Sequence, residues 1–157
     1  MKVVVNTTPI ILLASIGQLP IVEKLFGKII IAEAVYQEIK AKPGYSYDQI
    51  DCEFIEVQAI QGRLYKQLLL NQLDSGEAET IILAKEINPD FVVIDENLGY
   101  RFATNAGLTT IRTLSLLLRA KEKGYIGQVK PLLDVLMAKG RWYSSTVYHA
   151  FLNQAGE

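Results

Sequence analysis

Short apolar runs alternate along the chain with segments in which apolar residues recur at helical spacing. Five runs predict strands because they are rich in β-branched or aromatic residues: Val3–Val5, Ile29–Ile31, Phe54–Val57, Phe91–Asp95 and Thr109–Ile111. Most of them are continuously apolar, which is typical of strands that are covered on both faces of a parallel sheet. The pattern therefore predicts an α/β fold in which a parallel sheet lies between two layers of helices.

The segments between these runs predict helices, and several end at residues that stop helices. The predicted helices are Ile10–Ile16, Pro20–Phe26, Ala32–Lys40, Gly62–Leu73, Ser75–Ile87, Leu98–Ala106, Thr113–Lys123, Val129–Lys139 and Ser145–Gln154. Gly17 and Gly27 follow the first two, as expected at helix C-termini. Residues 41–51 contain a Pro-Gly pair and predict a loop. The chain has no repeat, low-complexity stretch or linker, so residues 1–157 are expected to form one domain.

Composition excludes several kinds of site. The only histidine is His149 and the only cysteine is Cys52, so a two-histidine mechanism, a cysteine-rich zinc site and an internal disulfide are all excluded. The chain also lacks the Gly-rich motifs that bind nucleotide phosphates. The N-terminal segment has no basic flank, and its apolar runs are too short to span a bilayer. We therefore expect a cytoplasmic protein that has no membrane partner.

The net charge of −1 hides an uneven distribution along the chain. Residues 1–100 carry 8 basic and 14 acidic side chains, whereas residues 101–157 carry 8 basic and 3 acidic ones. An acidic site beside a basic surface would suit a polyanion such as RNA, with Trp142 and Tyr143 available to stack on bases. The predicted RNA-binding residues are Arg119, Lys121, Lys123 and Arg141. The alternative is that these basic residues only decorate solvated helix ends.

Polar residues follow the two strands that we expect at the centre of the sheet. Asn6 comes directly after the first strand, and Asp95 and Glu96 end the run FVVIDE. Two predicted helices add Glu38 and Glu77. In an open parallel sheet, sites form at the carboxyl ends of the strands, and carboxylates gathered there repel one another unless a cation lies among them. Oxygen ligands without histidine or cysteine suit Mg²⁺ or Mn²⁺, which can promote displacement at a phosphodiester.

Each of these residues also has a structural explanation. Asn6 is a good N-cap for the helix that follows it, Glu38 could be a solvated helix residue, and Asp95 could be a turn residue. The sequence Asp74-Ser-Gly-Glu77 matches a capping box, in which the Glu77 side chain bonds back to Asp74. Residue types and spacing alone leave the two interpretations open.

Four segments carry a resemblance to PIN domains. The opening VVVNTTPIILLASIGQL resembles their first strand and helix, which typically begin with Asp-Thr/Ser-Ser-Pro/Ala-Leu. The segment IIIAEAVYQEI resembles their second strand and helix, and LDSGEAETIILAKEINPDFVVIDENLGYRFATNAGL resembles their third motif and the strand that leads to the fourth. TIRTLSLLLRAKEKGYI resembles the next helix, so the similarity covers nearly the whole chain. The branch that it resembles is prokaryotic and similar to VapC-type toxins of toxin–antitoxin pairs.

The resemblance implies a fold, an activity and a set of site residues. The implied fold has three layers, with a parallel sheet of about five strands and helices on both faces. The implied activity is that of an endoribonuclease that depends on Mg²⁺ or Mn²⁺. The implied site residues are Asn6, Glu38, Glu77 and Asp95, with Glu96 as a substitute for Asp95 and with Thr7 and Thr8 in support. The implied partners are RNA, a small antitoxin protein and a second copy in a homodimer.

The chain departs from the PIN pattern at the first acidic position, where Asn6 replaces the usual aspartate. An amide oxygen can ligate a hard cation but brings no charge, so metal affinity and the activation of water should both be weaker. Two functions remain open: a metal-dependent endoribonuclease of toxin type, and a catalytically inactive PIN-like module that binds RNA or an antitoxin-like protein. Asn6 favours the second function, whereas the retained acidic residues favour the first.

Overall fold

The computed structural model describes all 157 residues and contains every strand and helix that the sequence predicts, with ends shifted by a few residues. The strands are β1 (Val3–Val5), β2 (Ile29–Ala32), β3 (Ile55–Gln58), β4 (Phe91–Val93) and β5 (Thr110–Ile111). The helices are α1 (Thr7–Ser15), α2 (Ile21–Phe26), α3 (Glu33–Lys40), α4 (Arg63–Leu69), α5 (Ser75–Ile87), α6 (Asn97–Asn105), α7 (Thr113–Glu122), α8 (Lys130–Ala138) and α9 (Ser145–Gln154).

The five strands form one parallel sheet in the order β3-β2-β1-β4-β5. β1 lies at the centre, where Val4 is paired with Ile30 of β2 on one side and with Val92 of β4 on the other. Parallel neighbours need crossover connections, and the helices supply them. The predicted fold class, a three-layer α/β fold with a parallel sheet, is confirmed.

The apolar character of the central strands is explained by their complete burial. All three residues of β1 are at most 1% exposed, and Val92 and Val93 of β4 are fully buried. Buried apolar residues of the sheet and of the helices around it form one continuous cluster. None of the helices has the length and the hydropathy that crossing a bilayer requires.

Two predicted helix boundaries were wrong in ways that affect the site. α1 begins at Thr7 rather than at Ile10, because Pro9 is accepted in the first turn, where its missing N–H costs no hydrogen bond. The helix therefore starts directly at the end of β1. α4 ends at Leu69 rather than at Leu73, because the chain must turn before Asp74, which caps α5.

Candidate functional site

The predicted site lies where the strand order of the sheet reverses. From β1 the chain builds β2 and β3 on one side, and it then returns to place β4 against the other side of β1. Asn6 directly follows β1, and Asp95 lies two residues beyond the end of β4. Open α/β sheets bind ligands in the crevice at such a reversal, beyond the carboxyl ends of the strands.

Asn6 links the end of β1 to α5. Its side chain is 2% exposed, and its Oδ1 accepts a hydrogen bond from Oγ1 of Thr80 at 3.2 Å. Its backbone N–H donates to the carbonyl of Val93 at 3.0 Å. Although Asn6 occupies the N-cap position of α1, its side chain makes no capping hydrogen bond. The capping interpretation of its side chain was therefore wrong.

Glu38 joins the N-termini of two helices. Its Oε2 accepts a hydrogen bond from Oγ1 of Thr7 at 2.5 Å, and its Oε1 accepts one from the backbone N–H of Gly76 at 2.7 Å. A Cβ atom at Gly76 would overlap this carboxylate, so the contact requires glycine. Glu38 is therefore not the freely solvated residue of the structural alternative. Thr8 is half-buried and makes no side-chain hydrogen bond, so only Thr7 supports an acidic residue directly.

Glu77 lies in the first turn of α5 and forms the predicted capping box. Its backbone N–H donates to Oδ1 of Asp74 at 2.8 Å, and its Oε1 accepts from the Asp74 N–H at 3.4 Å. Oε2 faces Gly99 of α6, where a Cβ atom would overlap it. No basic side chain pairs with Glu77. Burial, together with the charge of Asp74, raises the pKa of Glu77 to about 7.

Asp95 is 5% exposed and is held by the first residue of α7. The Thr113 N–H donates to Oδ1 at 2.8 Å, and Oγ1 of Thr113 donates to Oδ2 at 2.6 Å. Burial raises the pKa of Asp95, against the effect of these two hydrogen bonds and of the guanidinium groups of Arg141 and Arg112. The simple turn role considered for Asp95 is therefore wrong, because its carboxylate fixes the start of a helix.

The acidic side chains lie around the ends of β1 and β4 and the first turn of α5, but they do not meet at one point. No group of three or more histidine, cysteine, aspartate or glutamate side chains lies close enough together to hold a metal ion. The compact acidic cluster expected from the sequence does not form, because Glu38 and Asp95 are each held by their own donors. Oxygen-only donors still fit Mg²⁺ or Mn²⁺, since Mg²⁺ commonly keeps several waters and takes about one or two carboxylates.

A cleft of about 480 Å³ opens beside Asp95. Glu96 lies on its wall, where Oε1 is 3.3 Å from Nη1 of Arg141. Arg112 lines the same cleft, donates to the backbone carbonyl of Asp95 and, at 3.0 Å, to Oδ1 of Asn97. Sequence reasoning missed Arg112. Its position directly after β5 would have revealed it, because residues there reach the same edge of the sheet as Asp95.

Three of the four predicted RNA-binding residues, all except Arg141, lie near the C-terminal end of α7. The guanidinium of Arg119 stacks over the ring of Phe91 at 4.7 Å, near the start of β4. Nζ of Lys121 is 2.7 Å from a carboxylate oxygen of Glu157, and Lys123 is exposed at the end of the helix. An α-helix of ten residues is about 15 Å long, so these side chains are remote from the start of α7. Arg141 alone among the four lies in the cleft.

Thr113→Val should test whether Asp95 depends on Thr113. The variant keeps the backbone N–H bond but removes the hydroxyl donor from a buried carboxylate, so the free energy of unfolding should fall by about 1.5–3 kcal/mol. Thr110→Val is the matched control, because Oγ1 of Thr110 makes only a 3.4 Å bond to the carbonyl of Leu108. Urea denaturation measures both variants. Equal losses in the two would contradict the assigned role of Thr113.

A family model described as a PIN domain matches residues 2–157. The chain therefore belongs to the PIN-domain family, as the motifs predicted. The comparisons matched no curated protein and no solved structure. Membership in the family assigns a nuclease-like fold, and PIN domains generally use divalent metals.

Proposed function

We propose that the protein is a metal-dependent endoribonuclease whose site is the crevice between the ends of β1 and β4. The observation that carries the proposal is Glu77, a buried carboxylate that no basic side chain neutralises and whose pKa is raised to about 7. Strongly perturbed carboxylates in a crevice are typical of functional sites. A bound divalent cation would supply the missing positive charge.

The residues proposed to take part in holding Mg²⁺ or Mn²⁺ are Glu38, Glu77 and Asp95, with Asn6 as a neutral ligand and Glu96 as a substitute for Asp95. Because no three carboxylates lie close together, one or two of them would contact the cation directly and the others would act through bound waters. When bound, the cation would activate water and neutralise charge that develops on the phosphodiester. The chain's own contribution is to fix the carboxylates: Thr7 and Gly76 orient Glu38, and Thr113 orients Asp95. Removing supporting contacts of this kind commonly lowers metal affinity or activity about 10–100-fold.

Metal-dependent cleavage of a labelled single-stranded RNA tests this proposal. Asp95→Asn keeps the shape of the side chain and can still accept from the Thr113 N–H, but it removes the charge, so cleavage in Mn²⁺ should fall at least about 100-fold. Asp48→Asn, which changes an exposed aspartate in the 41–51 loop, should cleave at the wild-type rate. Cleavage by Asp95→Asn at the wild-type rate would contradict the proposed site.

A catalytically inactive module is the second candidate, and the neutral Asn6 favours it. The Asn6 amide oxygen is already engaged by Thr80, which is a structural role. In that case the wild type would bind RNA or an antitoxin-like protein but would neither bind Mn²⁺ nor cleave. The same cleavage assay therefore separates the two functions.

We also propose that the protein forms a homodimer through α4. No residue of α4 is buried, and the side chains of Leu64, Tyr65 and Leu68 are 77%, 69% and 68% exposed. Exposed apolar patches of this kind commonly mark interaction sites, and a small antitoxin would be the other partner to consider.

Leu68→Glu tests this dimer. The charge should shift the protein from dimer to monomer in sedimentation velocity, because burying an unpaired carboxylate is costly. Val135→Glu, at an exposed apolar position of α8, should leave the dimer intact. A monomeric wild type would contradict the proposal.

A further inference from the structure

The cleft beside Asp95 contains an exposed aromatic side chain that a metal site does not require. Trp142 is the only tryptophan of the chain, its side chain is 78% exposed, and it lies on the cleft wall next to Tyr143. It belongs to the short connection between α8 and α9, which ends at Ser144, where the side chain caps α9 through the Val147 N–H. A large, exposed indole at a cleft mouth is a stacking surface for a planar ligand.

Arg141 provides a hydrogen-bond donor that the protein itself leaves unused. Its Nε is buried and is the only buried side-chain polar atom without a hydrogen-bond partner. Its Nη1 contact with Glu96 is 3.3 Å long and belongs to a half-exposed ion pair, which contributes little. A guanidinium has five N–H donors and Arg141 uses one of them in the contact with Glu96, so the remaining donors on the cleft wall can take an additional acceptor.

Arg112 provides a second guanidinium whose position is already fixed. It stacks on the ring of Tyr100 at 4.2 Å and donates to the Asp95 carbonyl and to Asn97. A guanidinium has five N–H donors, so these contacts leave donors for a ligand in the cleft. A cation held in place in this way loses little conformational entropy when it binds a phosphate.

We propose that this cleft binds one nucleotide unit of single-stranded RNA, with the phosphate against Arg112 and Arg141 and the base stacked on Trp142. The identification of the ligand as RNA rests on the proposed function. The cleft volume of about 480 Å³ lies within the usual range for small-ligand sites, about 300–1,000 Å³. The base must come from a single strand, because only an unpaired base has a face free to stack on a side chain.

The other cavity of similar volume lacks these features. It lies between α4 and α5, contains no arginine or tryptophan, and is mostly apolar. Its one cation, Lys85, already donates to the carbonyl of Ala106 at 2.8 Å. Two guanidinium groups beside an aromatic surface therefore occur in the cleft beside Asp95 and not in this second cavity.

The emission of Trp142 reports directly on the proposed stacking, because it is the only tryptophan. The experiment titrates a uridine octaribonucleotide into the full-length protein in EDTA, so that no metal binds and no strand is cut. Saturable quenching of the emission is expected, with the same Kd as fluorescence anisotropy of the labelled octamer gives. Binding without quenching, or no binding at all, would overturn the proposal. Uridine monophosphate that binds as tightly as the octamer would overturn the assignment to a strand.

Two variants and their controls test the residues. Trp142→Ala should weaken binding about 5- to 160-fold, because stacking of one base contributes about 1–3 kcal/mol. Arg141→Met should weaken binding and make it less sensitive to salt, since one phosphate contact is lost. The controls are Tyr125→Ala, an exposed aromatic residue beyond the C-terminal end of α7, and Lys28→Met, an exposed basic residue directly before β2. Equal losses in variants and controls would also overturn the proposal.

The proposed RNA subsite and the proposed nuclease activity can be rejected separately. Quenching by RNA without any cleavage in Mn²⁺ would retain the cleft as an RNA subsite and reject the nuclease. Cleavage in Mn²⁺ that Trp142→Ala leaves unchanged, together with no quenching in EDTA, would retain the nuclease and reject the subsite.

Discussion

Asn6→Asp should tighten Mn²⁺ binding about tenfold or more, because it adds a carboxylate to a site whose first acidic position is neutral. Without the cation, the same change should lower the free energy of unfolding at neutral pH by about 2–4 kcal/mol, because Asn6 is 2% exposed and the new charge has no basic partner. Mn²⁺ at about one hundred times its Kd should raise the free energy of unfolding of the variant by about 2.7 kcal/mol.

Thermal and urea unfolding in EDTA and in Mn²⁺ measure both effects. Asn71→Asp is the control, because Asn71 is exposed in the turn before α5 and its aspartate would remain solvated. The control should show no metal-dependent stability beyond that of the wild type. If Asn6→Asp is equally stable with and without Mn²⁺, then position 6 does not face a cation site.

Glu77→Gln should reduce metal-dependent cleavage about 100-fold or more and, at the same time, stabilise the fold. Glutamine keeps the capping box, since its side-chain oxygen can accept from the Asp74 N–H as Glu77 does. It removes a buried charge, so at pH 8 the free energy of unfolding should rise by about 1–2 kcal/mol, a figure reduced for solvent screening. Opposite changes in activity and stability are typical of a residue kept for function.

The pH dependence of stability follows from the raised pKa of Glu77. Between pH 4.5, its ordinary pKa, and about 7, the folded protein binds more protons than the unfolded chain does. The contribution of Glu77 to stability is therefore largest below pH 4.5 and is lost as the pH rises to about 7. The difference between Glu77→Gln and the wild type should appear above this window and vanish below it. The exposed Glu53→Gln serves as the control, and an identical pH profile for both variants would contradict the assignment.

The elements of the fold were predictable where local signals agree. α5 was predicted with its observed ends, because Asp74 and Glu77 form a capping box at its start and Asn88 ends it in the left-handed conformation with φ of 52°. β1 was predicted because its three residues are apolar and β-branched. β3 was displaced by one residue because it is an edge strand, in which Glu56 and Val57 are exposed and the apolar pattern is weak.

The site was predictable at the strand ends and not between the helices. Asn6 and Asp95 follow central strands, so their positions at one edge come from the topology alone. The contacts that hold Glu38 come from Thr7 and Gly76, which are 31 and 38 residues away in the sequence, and no local pattern encodes such distances.

Glu77 and Glu79 illustrate a second limit of the sequence. The sequence presented the capping box and the site as alternatives for Glu77, yet one carboxylate can serve in both because it has two oxygens. Glu79, two residues further along, is also buried, but it accepts from the Ala34 N–H at 3.0 Å and pairs with Lys66 at 2.6 Å. Only the three-dimensional contacts show that Glu79 is neutralised by a basic side chain and that Glu77 is not.

Calorimetric titration of the wild type and of Asp95→Asn with Mn²⁺ at pH 7.5 tests the central claim most directly. The wild type should bind Mn²⁺ and release protons, because Glu77 is partly protonated near this pH and must ionise to bind a cation. Asp95→Asn should bind at least about tenfold more weakly. Absence of Mn²⁺ binding by the wild type, or equal affinity in the two proteins, would contradict a cation site at the ends of β1 and β4.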